Sequence, residues 1–413
     1  MGLSVRQKLA LNQSTAKFNL WYGSVRSSKT YAQRWDFISR MADDSPVEGD
    51  RIVVGYSTNT LWRNFFQPIF QMDSYRAVAP HLHYSKNAPF GSLFGKPFTV
   101  VGASNESSAA SIQGMTVQDC WWDEAELSPE SFFDMLNTRL SLDRSRVLAT
   151  CNPGTSAHYL KRRVVDQADA ERYHVEKFLL RENPALSRQV VADLESTFTG
   201  LFYRRMILGE WVAAEGAVYQ SWDVEAMVEK SSQVEEILSV GVDIGTTHPS
   251  AGYALGIDSD GVLKIVSEWS PNIVEGMSGT LPLSDHQLAD SFEAWLEELP
   301  QRPRYMYVDP AAKSFRQELK VRGIRTYQAA NSVVSGIRTI DSLLTGGQLK
   351  IDSSCIQLIK EIPEYRWDPS ASARGEDKPI KEKDDHCDAF RYAVFSCKHL
   401  WVRRVRKAKA RLL

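Results

Sequence analysis

Gly23-Ser24-Val25-Arg26-Ser27-Ser28-Lys29-Thr30 decides how the first half of the chain is read. The apolar run Phe18–Tyr22 precedes it, and a helix-like stretch from Tyr31 to Met41 follows. Strand, loop of small residues, Lys-Thr and helix are the parts of a phosphate-binding loop. Small residues let backbone N–H groups converge on phosphate oxygens, and the helix N-terminus adds the positive end of its dipole. Residues 23–30 would then cradle ATP, with Lys29 at the β- and γ-phosphates and the Thr30 hydroxyl on Mg²⁺. The usual pattern is G-x-x-x-x-G-K-[ST], and Ser28 stands where its second glycine belongs. Taken alone, the stretch also fits a serine-rich turn before a surface helix.

Outward from the loop, short apolar runs alternate with helical patterns. Candidate strands are Phe18–Tyr22, Arg51–Ser57, Phe98–Ala103, Val117–Trp122, Arg146–Cys151 and Tyr173–Leu180. This alternation predicts an α/β domain with a mainly parallel sheet. Val117–Trp122 runs into Asp123-Glu124, and ligands bind outside the carboxyl edge of such sheets. Asp123 is thus expected on the Mg²⁺ of Mg-ATP, and Glu124 as the general base that polarises the attacking water. A third strand, Val147–Cys151, ends at Thr150 and Asn152, candidates to sense the γ-phosphate. Pro153 stops the strand.

The second half carries three aspartates in telling places. Leu238-Ser-Val-Gly-Val-Asp243 opens an antiparallel meander continued by Ser250–Ile257 and Val262–Trp269. Tyr305-Met-Tyr-Val-Asp309 is a further strand ending in an acid, and Asp384-Asp385-His386-Cys387-Asp388 enters a terminal helix on which Asp385 and Asp388 share a face. Strand-Asp, strand-Asp, terminal-helix-Asp fits a ribonuclease-H-like nuclease domain with a mixed sheet. Clustered carboxylates repel one another by several kcal/mol at an effective dielectric near ~20 unless cations sit between them. Two Mg²⁺ or Mn²⁺ ions on Asp243, Asp309, Asp385 and Asp388 would relieve that repulsion, one activating water and the other stabilising the leaving oxygen of a phosphodiester.

Bulk properties agree with two α/β domains. The 413 residues are 43% hydrophobic and 24% charged, an ordinary globular balance that lets each half bury a core. The expected division is 1–215 for the P-loop ATPase domain, 216–237 for a linker and 238–413 for the nuclease domain with a basic tail. That tail, 398–413, holds seven Lys/Arg and no acid, suited to nucleic acid or to solvent alike. A net charge of −2 excludes a wholly basic coat protein. Five scattered cysteines point to reduced thiols in a cytoplasm. No run of 18 apolar residues is present, so no membrane span is expected. Lys378, Lys381 and Lys383 read first as a solvated charged loop and second as contacts to a DNA backbone.

The three motifs of the first half, with Ala149-Thr-Cys-Asn-Pro153 as the third, resemble the ATPase half of phage terminase large subunits, the DNA-packaging motors of tailed double-stranded DNA phages. The nuclease half of that family carries a strand Asp, a second strand Asp and a final motif like Asp-His-x-x-Asp-Ala-x-Arg-Tyr, matched by Asp243, Asp309 and Asp388. His386 stands two residues before Asp388 where the family shows three, and Asp385 occupies the third place back. The resemblance implies that Arg26 acts beside the phosphates and that Gln7 reads adenine. It also implies an arginine supplied by a neighbouring subunit, with Arg139, Arg144 and Arg146 as candidates. Its further implications are ATP-driven movement of double-stranded DNA, metal-dependent cutting, a portal protein, a small terminase subunit, a ring of copies on the portal with a monomer in solution, and the host cytoplasm. Two other readings stay open: a helicase-like translocase with a non-cleaving ribonuclease-H-like domain, and a non-enzymatic scaffold with a degenerate loop.

Overall fold

In the computed structural model, residues 3–44, 46–169, 171–230, 233–245, 248–273 and 281–412 are described, the last seven by backbone only. By contact the chain divides into two compact units. Met1–Glu195, Leu201–Ala213 and Ala373–Glu376 form one, and Ser196–Gly200, Ala214–Ser372 and Asp377–Leu413 form the other.

The first unit is built on eight strands: β1 Phe18–Gly23, β2 Asp50–Gly55, β3 Leu82–His83, β4 Phe90–Leu93, β5 Lys96–Gly102, β6 Val117–Trp122, β7 Arg146–Cys151 and β8 Tyr173–Phe178. Their order is β3-β4-β5-β2-β6-β7-β1-β8. The six strands from β5 to β8 pair in parallel, and β3 and β4 add an antiparallel edge. Both faces of this sheet are covered. Ile52, Val54, Cys120, Trp122, Val147 and Ala149 enter one core cluster, while the intervening Val53, Trp121 and Leu148 enter another. Strands buried on both sides read as unbroken apolar runs, which is why the central β2, β6, β7 and β1 were visible in the sequence. The edge hairpin was not: β3 has two residues and Phe90 of β4 is exposed.

The second unit carries seven strands: β9 Val228–Glu229, β10 Glu236–Asp243, β11 Ala251–Ile257, β12 Leu263–Trp269, β13 Tyr305–Val308, β14 Tyr327–Gln328 and β15 Leu349–Asp352. The order is β14-β13-β10-β11-β12-β15-β9. The β10-β11-β12 meander is antiparallel and the remaining pairs are parallel, giving a mixed sheet. Helix Asp385–Ser396 lies directly on β10: Ser239 Oγ donates to the Ala393 carbonyl at 2.7 Å. A Cβ at Gly241 would come within 2.0 Å of Ala393 N, so only glycine permits this approach. Residues 216–237, expected as a linker, belong to this second unit. They carry the helix Val224–Met227 and strand β9, which pairs with β15 through Glu229 and Asp352. A two-residue strand offers no alternation to read. The basic tail is helical over Lys398–Leu412, anchored by buried Trp401 and Val405. Among the described residues no helix is long and apolar enough to cross a membrane, and all five cysteines are buried and free.

Candidate functional site

The loop after β1 is shaped by backbone constraints. Gly23 has φ 135°, and a Cβ there would lie 2.0 Å from the Phe178 carbonyl on β8. Arg26 and Ser28 adopt the left-handed region at φ 57° and 63°. The second explains the glycine of the usual pattern, because a side chain there is strained by about 1–2 kcal/mol. The N–H groups of Ser24 and Val25 donate to the carbonyls of Phe178 and Met206 at 3.0 and 2.8 Å. Gly23 and Ser24, expected to touch phosphate, instead lie beneath the loop and offer their carbonyls to Lys29. The Lys29 ammonium donates to Gly23 O at 3.2 Å, Ser24 O at 2.8 Å and Ser27 Oγ at 3.2 Å, with Asn152 Oδ1 at 3.4 Å. Burial brings its pKa down to about 8 against the pull of nearby acids, and a phosphate beside it would raise it again.

A cavity of about 420 Å³ opens above, lined by residues 25–30 with Asp123, Glu124, Thr150, Asn152, Arg34 and Asn64. Asp123 is the hub. Its carboxylate accepts from Thr30 Oγ1 at 3.1 Å, Thr150 Oγ1 at 2.6 Å and Asn64 Nδ2 at 3.0 Å. Thr30 and Asp123 thus meet as expected of an Mg²⁺ pair, both offering the hard oxygen that ion prefers. Glu124 lines the same cavity with its backbone at φ 52°. Strain of this kind in a site-forming turn suits a carboxylate aimed for function.

Three participants were not read from sequence. Asn64 sits among aromatics in Trp62–Phe66. Arg34 donates to Tyr75 OH at 3.0 Å and to the Asn64 carbonyl. Glu126 accepts from the Asn152 N–H at 3.0 Å, while burial pushes its carboxyl up to about 8 and leaves Oε2 without a hydrogen-bond partner. Its only signal was a third acid in Asp123-Glu124-Ala-Glu126.

Gln7 does not line the cavity. Its Oε1 accepts from Ser4 N–H at 2.8 Å, and its Nε2 donates to Ser28 Oγ at 2.7 Å and Ser28 O at 3.4 Å. The amide expected at adenine is thus hydrogen-bonded to the strained Ser28. Arg139, Arg144 and Arg146 do not line the cavity either; Arg146 begins β7, at the end of the strand opposite Asn152.

In the second unit, Asp243 ends β10 and Asp309 follows β13, its parallel neighbour, with the Asp309 N–H donating to Val242 O at 3.0 Å. Burial, then the charges of Asp388, Asp309 and Asp385, push the Asp243 carboxyl well above the usual range. The terminal helix resting on Gly241 delivers Asp388 to this edge. All four expected acids are therefore electrostatic neighbours. Yet among the described residues no three His, Cys, Asp or Glu side chains are arranged to hold one ion. The chain's own cations take up part of the cluster. Lys381 Nζ lies 2.9 Å from Asp388 Oδ2 and 2.6 Å from Asp384 Oδ2, and Arg391 Nη2 lies 2.9 Å from Asp388 Oδ1. Lys381, from a segment that fits solvent or a DNA backbone, is thus a counter-ion to the cluster. Asp385 is pushed up to about 6 by burial and by Asp384. The donor set, all carboxylate oxygen with too few cations, fits hard divalent ions. His386 points elsewhere: it is buried, and Nδ1 pairs with Tyr253 OH at 2.5 Å, which donates to Glu268 Oε2 at 2.9 Å.

Comparison with known proteins agrees with both halves. Residues 15–210 match the family model of the phage terminase large subunit, and 240–396 match the terminase RNaseH-like domain. The large terminase subunit of Escherichia phage T5 is 25% identical over 234 residues, which are 52% of this chain and 50% of that one. The chain thus spans about half the length of this curated relative. The large terminase of a thermophilic bacteriophage superposes with a TM-score of 0.87 at 28% identity, covering 97% of this chain and 100% of the other. The ATP-γ-S complex of that same thermophilic phage protein gives 0.84 at 27% identity over 96% and 99%. Matched in both units by terminase models and along nearly its whole length by a solved large terminase, the chain belongs to the phage large terminase family.

Proposed function

We propose that the chain is an ATPase and two-metal endodeoxyribonuclease that drives double-stranded DNA into a procapsid and cuts concatemeric DNA. The observation that carries this reading is the pairing of two chemically opposite clusters. One unit gathers a lysine, hydroxyls and an acid at the carboxyl edge of a parallel sheet, and the other gathers aspartates at the edge of a mixed one. In the first, Lys29 and the N–H groups of residues 26–30 would bind and orient the phosphates of ATP, with Arg26 beside them. Thr30 and Asp123 would hold Mg²⁺, which neutralises phosphate charge when bound. Glu124 takes a proton from the attacking water, and Thr150 and Asn152 report on the γ-phosphate through Asp123 and Lys29. The ADP and ATP-γ-S complexes of the thermophilic phage relative support nucleotide binding here.

In the second, Asp243, Asp309, Asp385 and Asp388 would hold two Mg²⁺ or Mn²⁺ ions, which supply an activated water and a stabilised leaving oxygen. Lys381 would have to yield Asp388 Oδ2 for this. The partners are a portal protein, a small terminase subunit and further copies of the chain in a ring, formed from monomers in the host cytoplasm, with an arginine contributed across subunits. The helicase-like alternative requires the aspartates to be idle, and their mutual repulsion argues against that.

Paired substitutions test the reading. Lys29→Ala should lower ATPase activity by about 10³-fold and leave Mn²⁺-dependent plasmid cutting measurable. Asp309→Ala should do the reverse. Loss of both activities in both folded variants would show that the sites are not separate, and a wild-type chain that hydrolyses ATP but never cuts would favour the helicase-like reading.

A further inference from the structure

Helix Lys313–Val321 begins four residues after Asp309 and is tied to it. The Ala311 N–H donates to Asp309 Oδ1 at 3.0 Å and the Ala312 N–H to Asp309 O at 3.1 Å. Phe315 and Leu319 bury one face of this helix in the core. Lys313, Arg316 and Lys320 recur at helical spacing on another face. With Arg325 they line a cleft of about 510 Å³ that contains no acidic side chain. Arg316 Nε is buried without a hydrogen-bond partner, and Arg325 lies over the Tyr327 ring. Among the described residues, none of the four cations is ion-paired. Neighbouring Arg322 shows the contrast: it turns away from the cleft and meets Asp290 at 2.6 Å, Glu293 at 2.6 Å and Glu318 at 2.9 Å. Acids are therefore at hand on this helix and its neighbour, yet they are kept out of the cleft.

We infer that this cleft seats the phosphate backbone of duplex DNA and leads one strand to Asp309. Seven residues of helix separate Lys313 from Lys320, about 10.5 Å of rise. At about 3.4 Å of axial rise per phosphate on one strand, that spans about three phosphates. Lysine and arginine heads without a fixed pattern of acceptors suit backbone contact and not base reading. The inference rests on the proposed nuclease function and names the surface that presents its substrate.

The test uses the full chain and a fluorescent duplex of about 30 base pairs in EDTA, long enough to cover a site of this size. The variant Lys313→Gln/Arg316→Gln/Lys320→Gln should bind more weakly at physiological salt. Its slope of log affinity against log salt should be shallower by about 2.7, three phosphate contacts at about 0.9 each. ATPase activity should be unchanged, and cutting should need more DNA for half-saturation while keeping its maximal rate. A Lys313→Gln/Lys320→Gln variant, confined to exposed side chains, should lose about 1.8 of slope. Unchanged affinity and slope in both variants, with the wild type cutting DNA normally, would overturn the inference and leave the nuclease reading intact. A wild type that neither binds nor cuts DNA overturns both. If inorganic phosphate displaces the duplex at equal phosphate concentration, the cleft is a single-anion pocket and the inference also fails.

Discussion

Around Lys29 the chain has supplied partners to the lysine and to Asp123, whereas around Asp243 it has gathered more carboxylates than cations. The ammonium of Lys29 rests on two carbonyls and a hydroxyl, and Asp123 receives three donors. Asp243 is raised by burial and by three other carboxyls, while Lys381 pairs with Asp388 and Asp384 and Arg391 with Asp388. The loop site is held by backbone geometry, with Arg26, Ser28 and Glu124 all in left-handed conformation. The acidic site is held by packing, a helix pressed on Gly241. A site for an anion can be knit in advance from the backbone's own donors. A site for cations keeps repulsion in the fold that only cations relieve.

The largest test of that contrast is Asp243→Asn. It removes one charge from the repelling set and changes the shape little. DNA cutting should fall by about 10³-fold, while ATPase activity is retained. In EDTA the variant should melt above the wild type. Mg²⁺ should raise the wild-type midpoint and leave that of the variant almost unmoved. An equal Mg²⁺ response in both proteins would mean that Asp243 is no ligand.

His386 sharpens the boundary of the acidic site. On the terminal helix it faces away from Asp388 and meets Tyr253 in the core. His386→Ala leaves a cavity and takes a partner from the tyrosine, so stability should drop by about 2 kcal/mol in urea unfolding. The Mn²⁺ concentration for half-maximal cutting should stay the same. A shift of about tenfold, equivalent to about 1.4 kcal/mol, at undiminished stability would return the histidine to the metal site.

Sequence reasoning reached the two clusters because each rests on strong local patterns. Strands buried on both faces read as apolar runs, and an acid at the end of such a run is conspicuous. Thr30 with Asp123, and Asp243 with Asp309, came from that logic. What escaped depends on contacts distant along the chain. Asn64 reaches Asp123 from an aromatic turn, and Glu126 holds the backbone of Asn152. Lys381 looked like one more lysine in a charged segment, because nothing local reveals that its partners are Asp384 and Asp388. Residues 216–237 looked like a linker because β9 is too short to show a period.

Gln7 offers the finest discrimination between the two designs, because it asks whether the loop's order comes from within or from nucleotide. Ser28 holds a left-handed backbone that favours glycine, at about 1–2 kcal/mol. The Gln7 amide supports it with hydrogen bonds to both side chain and carbonyl, a contribution of about 1 kcal/mol. Gln7→Ala should therefore lower ATPase kcat/KM by about fivefold, the rate equivalent of that energy. Ser28→Gly removes the strain, so Gln7→Ala in that background should have no further effect. Because a brace does not touch the base, GTP hydrolysis should fall by the same factor as ATP hydrolysis. A residue that reads adenine behaves differently: its loss would fall on ATP and spare GTP, and glycine at position 28 would not rescue it. The four-protein cycle with both nucleotides separates the two roles, and the brace predicts coupling between positions 7 and 28 of about the full single-mutant effect.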